Sequence, residues 1–338
     1  MKHGMPPKTY YAGLLDSLGR VQFNIQRNSD NTFSTRPSLR IKHKDDDYLI
    51  GLIGELLESK DIKFDMVDRQ HGYNYFDINL RSDLEDVHRF LKGESTQLIR
   101  ELAFIHGPYR EYFDSHACSP KRAYQLVKTI DKLHYSVRMA PKSPYPDLEE
   151  LATEFSLNIA EVEEVEIPVG EFREDYPVEY IAGIVDGRAY FTLSIGKASH
   201  GIGYNMVPQI RIGRGAVHPA YASAVEVFCE EEDLRYTSNG EIHTLRTIIN
   251  GADSIDAFAP RVGPYLIAKH DTLAHFHQEF IPRFQAGENN TKQGFYELLV
   301  DFQPLSGQGR SKDRSKKYTP EFFEEKWADD IEVRDKPI

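Results

Sequence analysis

Two stretches of this chain carry the same short pattern. Residues 10–25 read YYAGLLDSLGRVQFNI and residues 180–195 read YIAGIVDGRAYFTLSI. Each sets A-G-[LI]-[LV]-D on an apolar run and then changes from helical spacing to strict alternation, the sign of a helix passing directly into a half-buried strand. A unit of this kind cannot cover both faces of its own sheet, whereas a paired unit can. The chain is therefore expected to fold as two copies of one design.

The order of elements repeats with the motif. Pro6 and Pro7 precede a helix over Thr9 to Ser17, which Gly19 ends. Val21, Phe23 and Ile25 then alternate with Arg20, Gln22, Asn24 and Gln26, SDNTFST serves as a long hairpin connection, and a second strand follows with Leu39 and Ile41 inward. Asp45 to Asp47 are placed to cap a helix through LIGLIGELLES; IKFDMVD and YNYFDINL read as strands, and helices follow from Leu84 to Phe113. In the second copy Pro177 opens the motif helix, AYFTLSIG and YNMVPQIRIGR are strands, and HPAYASAVEVFCEEE is a helix with Pro219 at its start. Asn239-Gly240 suits the tight turn of a hairpin, DLRYTS-NG-EIHTLRTII, before the closing helices. The expected fold is α+β, two pseudo-symmetric αββαββα repeats with an elaborated segment between them. Residues 1–114 form the first repeat, 115–176 an ordered insertion that is basic and then acidic, 177–305 the second repeat, and 306–338 a basic C-terminal tail expected to be mobile.

These two units resemble the LAGLIDADG homing endonuclease and intron-maturase family in its two-repeat, single-chain form, over roughly residues 8 to 113 and 177 to 303. The resemblance implies that the two motif helices pack together at a pseudo-two-fold axis. Small residues are needed where their backbones meet, and Ala12, Gly13, Ala182 and Gly183 supply them. It also implies a saddle of two sheets whose outward side chains enter a DNA major groove. Such a two-repeat chain is expected to act as a monomer.

The same resemblance implies a metal-dependent phosphodiesterase, with one acidic residue at the eighth position of each nine-residue motif holding a divalent cation such as Mg²⁺. Here those positions are Leu18 and Arg188, neither of which ligates Mg²⁺. Asp16 and Asp186 occupy the sixth position, which belongs to the architecture of the helix end. Two positions along a helix turn a side chain by about 200°, so Asp16 does not replace Leu18. The expectation is a kept fold without its nuclease: no catalytic residues, no metal site and no cofactor. Arg188 admits a further role, its guanidinium standing in for the missing cation beside crowded phosphates. The alternative is an active Mg-dependent endonuclease whose acids come from outside the motifs, with Asp45 to Asp47, Asp65 and Asp68 the groups to check.

The outward residues of the first hairpin, Arg20, Gln22, Asn24, Gln26, Ser38, Arg40 and Lys42, have the side chains that pair with base edges. Arg27, Arg36 and Lys44 suit phosphate contacts. The second repeat offers Thr192, Ser194, Lys197, Gln209, Arg211 and Arg214. The chain carries 53 acidic against 41 basic side chains and a formal charge of −12, yet the outward phase of the strands in the 20–44 region carries several Arg and Lys residues and no acid before Asp45. That local reversal is what a DNA-facing patch on an acidic protein requires. The expected partner is double-stranded DNA, in a regulatory or architectural role. RNA, as for a maturase-like splicing cofactor, is the other nucleic-acid partner, and a protein-interaction role is the alternative outside that class. No run approaches the roughly 20 apolar residues of a membrane span and no leader is seen, so the expected setting is intracellular, cytoplasm or nucleoid. Cys118 and Cys229 read as ordinary buried thiols, and the 13 histidines form no metal-ligand motif.

Overall fold

The computed structural model describes residues 5–44, 47–70, 73–94, 97–114, 117–133, 146–168, 175–213, 219–241, 244–303 and 317–334. The first repeat runs α1 (Lys8–Leu18), β1 (Gly19–Arg27), β2 (Phe33–Lys44), α2 (Asp47–Ser59), β3 (Asp65–Gln70), β4 (Tyr73–Ile78), α3 (Arg81–Leu91) and α4 (Gln97–Phe104). A π-helical turn over Ile105–Tyr109 and the single turn α5 (Arg110–Tyr112) close it. The insertion contributes α6 (Pro120–Leu133) and α7 (Leu148–Glu154). The second repeat runs α8 (Val178–Arg188), β5 (Ala189–Lys197), β6 (Tyr204–Ile212), α9 (Pro219–Glu231), β7 (Tyr236–Glu241), β8 (Thr244–Asn250), α10 (Ala252–Val262), α11 (His270–His275), α12 (Ile281–Gln285) and α13 (Lys292–Phe302). A last helix, α14 (Pro320–Lys326), follows.

The sheets are ordered β1-β2-β4-β3 and β5-β6-β8-β7, so each repeat builds the same four-stranded antiparallel layer. Register is fixed by the apolar face. Val21 pairs with Leu39 and Ile41 with Phe76, all turned to the core, which sends Arg20, Gln22 and Arg40 outward. In the second sheet Phe191 pairs with Ile210 and Ile210 with Ile249 in the same arrangement. Helices α1 and α8 are buried over Tyr10–Leu18 and Tyr180–Gly187 on every side, as befits the pair at the centre of the molecule. One continuous core joins both repeats through them.

Two expectations are corrected here. Asn239 and Gly240 do not form the β7–β8 turn; they lie within β7, opposite Arg246 and Leu245. Placing Tyr236 across from Ile249 sets the register, and side-chain burial outweighs local turn preference. Late in the insertion a 3₁₀ turn, Ile159–Glu161, leads to a run anchored by Val162 and Val165 that forms no strand among the described residues. The C-terminal region is not a tail throughout. Phe323 and Trp327 of the α14 segment pack edge-on against Tyr204 and Phe295, with centroids between 5.0 and 5.8 Å, because Thr319 caps a helix that presents both rings to the same side.

The insertion lies beside the first repeat. Phe33 forms an isolated bridge with Cys118, its ring meets Phe155 at 6.0 Å, and the two charge blocks pair with each other, Lys132 and Lys128 reaching Glu164 at 2.7 and 3.5 Å.

Candidate nucleic-acid interface

The site is built on the α1–α8 contact. A Cβ on Gly13 would stand 2.0 Å from the Tyr180 carbonyl oxygen, and one on Gly183 would stand 2.1 Å from that of Tyr10. Gly187 is filled in the same way by the Ser17 hydroxyl, at 2.0 Å. Ala12 and Ala182 are fully buried alongside. The backbones therefore touch, and only a hydrogen fits at these positions.

Across this contact each repeat ties the other. Tyr10 donates to Asp186 Oδ2 at 2.7 Å, and Tyr180 donates to Asp16 Oδ2 at 2.6 Å. Asp16 Oδ1 also accepts from the Leu98 amide at the head of α4. Asp186 accepts from the amides of Ile267 and Lys269 at the head of α11, at 2.7 and 2.8 Å. Burial, and then the Asp186 carboxylate, drive the Tyr10 phenol far above its ordinary pKa. Both aspartates are thus tertiary caps with filled oxygens, supplying acceptors to amides that a helix start leaves unpaired.

The eighth positions are placed differently. Leu18 is 3% exposed and belongs to the core. Arg188 is half-buried, and its Nε donates to the Ser17 carbonyl at 2.5 Å, closing the end of the opposite helix. Lys269 does the same for α8: its Nζ donates to the carbonyl of Val185 at 3.0 Å and to that of Asp186. Both helix C-termini, where partial negative charge gathers, are therefore met by resident cations. Sequence reasoning missed Lys269, whose place depends on a helix far along the chain. A divalent cation does not fit this arrangement. Neither eighth position offers an oxygen ligand, and among the described residues no group of three or more His, Cys, Asp or Glu side chains converges to hold one. Asp65 is exposed and accepts from Asn79 at 2.9 Å; Asp45 and Asp46 lie outside the described residues, as do the side chains of Asp47 and Asp68.

On the first sheet, Asn24, Gln26 and Arg36 are exposed, and Arg20, Gln22 and Ser38 half-buried. Arg40 is not open: it makes a bidentate pair with Asp77 at 2.7 and 2.6 Å and stacks over the Tyr75 ring at 4.6 Å. Cross-strand registry puts Asp77 directly opposite, which sequence spacing does not reveal. Lys42 lies beside Arg40 and Arg188; partial withdrawal of its ammonium from water, then those two guanidinium charges, pull its pKa below the ordinary lysine value. Arg27 turns away to the insertion, with Asn31 and Glu154 both at 2.7 Å and the Phe155 ring at 5.0 Å. The Lys44 side chain and all of Arg214 lie outside the described residues.

On the second sheet the outward groups are largely closed on themselves. Thr192 is 2% exposed and Gln209 9%. Arg211 donates twice to Gln209 Oε1, at 2.8 and 2.6 Å, Gln209 donates to Asn250 at 2.8 Å, and Asn250 donates to Thr237 at 3.0 Å. Opposite Arg211 stands Ile248, where the first repeat has Asp77 opposite Arg40, so the guanidinium turns along its own strand instead. Of the described residues singled out in this repeat, Ser194, half-buried, and Lys197, exposed at the tip, stay open.

No protein-family profile matches the chain, and no curated protein sequence does. Solved structures match closely in shape. The LAGLIDADG meganuclease I-CpaMI bound to uncleaved DNA aligns with a TM-score of 0.62 at 14% identity, over 89% of this chain and 99% of that one. I-SmaMI bound to uncleaved DNA in the presence of calcium ions gives 0.64 at 13%, over 90% and 98%. I-GzeII in complex with its DNA target gives 0.60 at 12%, over 91% and 100%. The duplicated helix–hairpin units, the glycine-tight helix pair and the two four-stranded sheets give this chain the two-repeat saddle fold of the LAGLIDADG homing endonucleases.

Proposed function

We propose that this protein binds double-stranded DNA across the saddle without cutting it, as a monomer inside the cell. One observation carries the proposal: at the eighth motif positions a buried Leu18 and a carbonyl-bound Arg188 replace metal-holding carboxylates. Arg188 shares the centre of the saddle with Lys42, beside an Arg40 already paired with Asp77, so positive charge from Arg188 and Lys42 stands where two phosphate backbones would crowd. The fold's likeness to structures solved with DNA supports the partner, and the open face of β1 and β2 supplies groups that pair with base edges. A binder of this kind has uses in transcriptional regulation or DNA architecture. The basic insertion helix gives less support to RNA, because Lys128 and Lys132 are engaged by Glu164.

The test is a mobility-shift and cleavage assay on a random duplex library, with Mg²⁺ or with EDTA, and with RNA as competitor. Salt-sensitive retention of intact duplex, equal in EDTA and Mg²⁺, is the expected result. Metal-dependent strand scission overturns it, and so does retention that RNA removes and duplex DNA does not.

A further inference from the structure

The two sheets offer unequal reading surfaces. On β1 and β2, Arg20, Gln22, Asn24, Gln26, Arg36 and Ser38 make no side-chain hydrogen bond or ion pair with any other described residue. They run from the base of the hairpin to its tip, because Arg20 pairs in register with Arg40 and Gln26 with Ser34. By strand register the matching positions on β5 and β6 are Tyr190, Thr192, Ser194, Gly196, Val207 and Gln209. Of these Thr192 and Gln209 are buried, and Gln209 joins Arg211, the counterpart of Arg40, in a ladder that continues through Asn250 to Thr237. That ladder crosses three strands, β6, β8 and β7. Within it the Gln209 amide oxygen and nitrogen and the Asn250 amide oxygen and nitrogen are all engaged. A base edge would have to displace those bonds and desolvate the same groups, which removes the net gain of the new contact.

We infer that, within the DNA-binding reading on which this rests, the protein reads its two half-sites unequally. The half under the first repeat is read base by base along the whole hairpin. The half under the second repeat is read only at its outer end, where Ser194, Asn205 and Lys197 surround the hairpin tip. Its inner positions are held by shape and backbone contact alone. Gln209 is the latch. Its amide oxygen accepts from Arg211 and its amide nitrogen donates to Asn250, so freeing one end re-exposes a group suited to adenine.

The experiment is selection from two duplex pools, each with one half-site fixed and the other randomised, repeated with Q22A/N24A, with N250A and with the unaltered protein. Melting temperatures confirm that each variant folds; Gln22 and Asn24 have no described partners, so their removal tests reading apart from stability. The expected result is strong base preference at inner positions of one half and none at inner positions of the other. Q22A/N24A should flatten the first profile by tenfold or more at the affected positions, and N250A should create a preference in the second. Equal information at the inner positions of both halves overturns this inference alone. Failure of either pool to be retained overturns the DNA-binding reading itself, and this one with it.

Discussion

The hydroxyl of Tyr10 lies 2.7 Å from Asp186 Oδ2, and that of Tyr180 lies 2.6 Å from Asp16 Oδ2. Each repeat thereby holds the helix-capping carboxylate of the other, so neither motif helix is fully satisfied without its partner. Removing one hydroxyl leaves a buried carboxylate oxygen with one partner fewer. Tyr10→Phe and Tyr180→Phe should each lower unfolding free energy by about 1.5–3 kcal/mol, the range for hydrogen bonds to charged groups. Denaturant titration measures it, and a single transition in both variants would show that the repeats still unfold together.

Glycine content tests the helix contact. Gly183→Ala puts a methyl 2.1 Å from a carbonyl oxygen that belongs to backbone and cannot turn aside. The two helices must part, and a loss of about 3 kcal/mol or more, or failure to fold, is the expected outcome. Gly51→Ala in α2 is the control. Nothing stands within 4 Å of its Cβ and it is exposed in mid-helix, so the same change should stabilise by about 0.5–1 kcal/mol. Thermal melts of the two variants should move in opposite directions.

Much of this frame was legible in the chain because it is local. The motif helices, their exit into alternating strands and the capping proline at α9 all follow from spacing within a few residues. What was not legible depends on residues brought together from afar. Arg40 reads as an open base reader until the β2–β4 register sets Asp77 beside it. Thr192 and Gln209 read as outward polar residues, but both are buried, and the Gln209 amide is taken by Asn250 from a neighbouring strand, itself bound to Thr237 on the next. The α14 helix was overlooked although Phe323 and Trp327 carry the four-residue spacing of a helix face.

A pair of histidines gives stability a pH dependence. His88 on α3 and His106 in the π-helical turn stand with ring centroids 5.0 Å apart. Burial first, then His106 and Lys92, lower the pKa of His88, while Glu85 acts in the opposite sense. Burial also leads at His106, with Arg81 and Arg110 lowering it further against the Leu84 backbone and Glu85. Both groups bind protons more readily when unfolded. Stability is therefore fully present above the unfolded histidine pKa, about 6.5, and falls as pH drops from there toward the depressed folded values. Melting temperature should decline with acidification over that window, and His88→Asn should flatten the slope. An unchanged slope in that variant places the effect elsewhere.

Arg188 joins stability to binding, and the two contributions separate by salt. Its guanidinium closes the C-terminal end of α1 through Ser17, a contact between a cation and a helix end worth about 0.3–1 kcal/mol at the surface and up to ~2 when partly buried. Arg188→Ala should cost stability within that range. If the remaining guanidinium donors also face a phosphate, the variant loses one counterion-releasing contact, and the log–log dependence of duplex affinity on salt should become shallower by about 0.9. Arg188→Lys keeps the charge and loses the fork, so it should restore most of the salt slope while leaving the helix end weakened. The measurement is duplex affinity across a salt series, together with melts of the same proteins. A normal slope in Arg188→Ala would confine the residue to its structural contact and leave Lys42 and Arg36 to carry the phosphate charge.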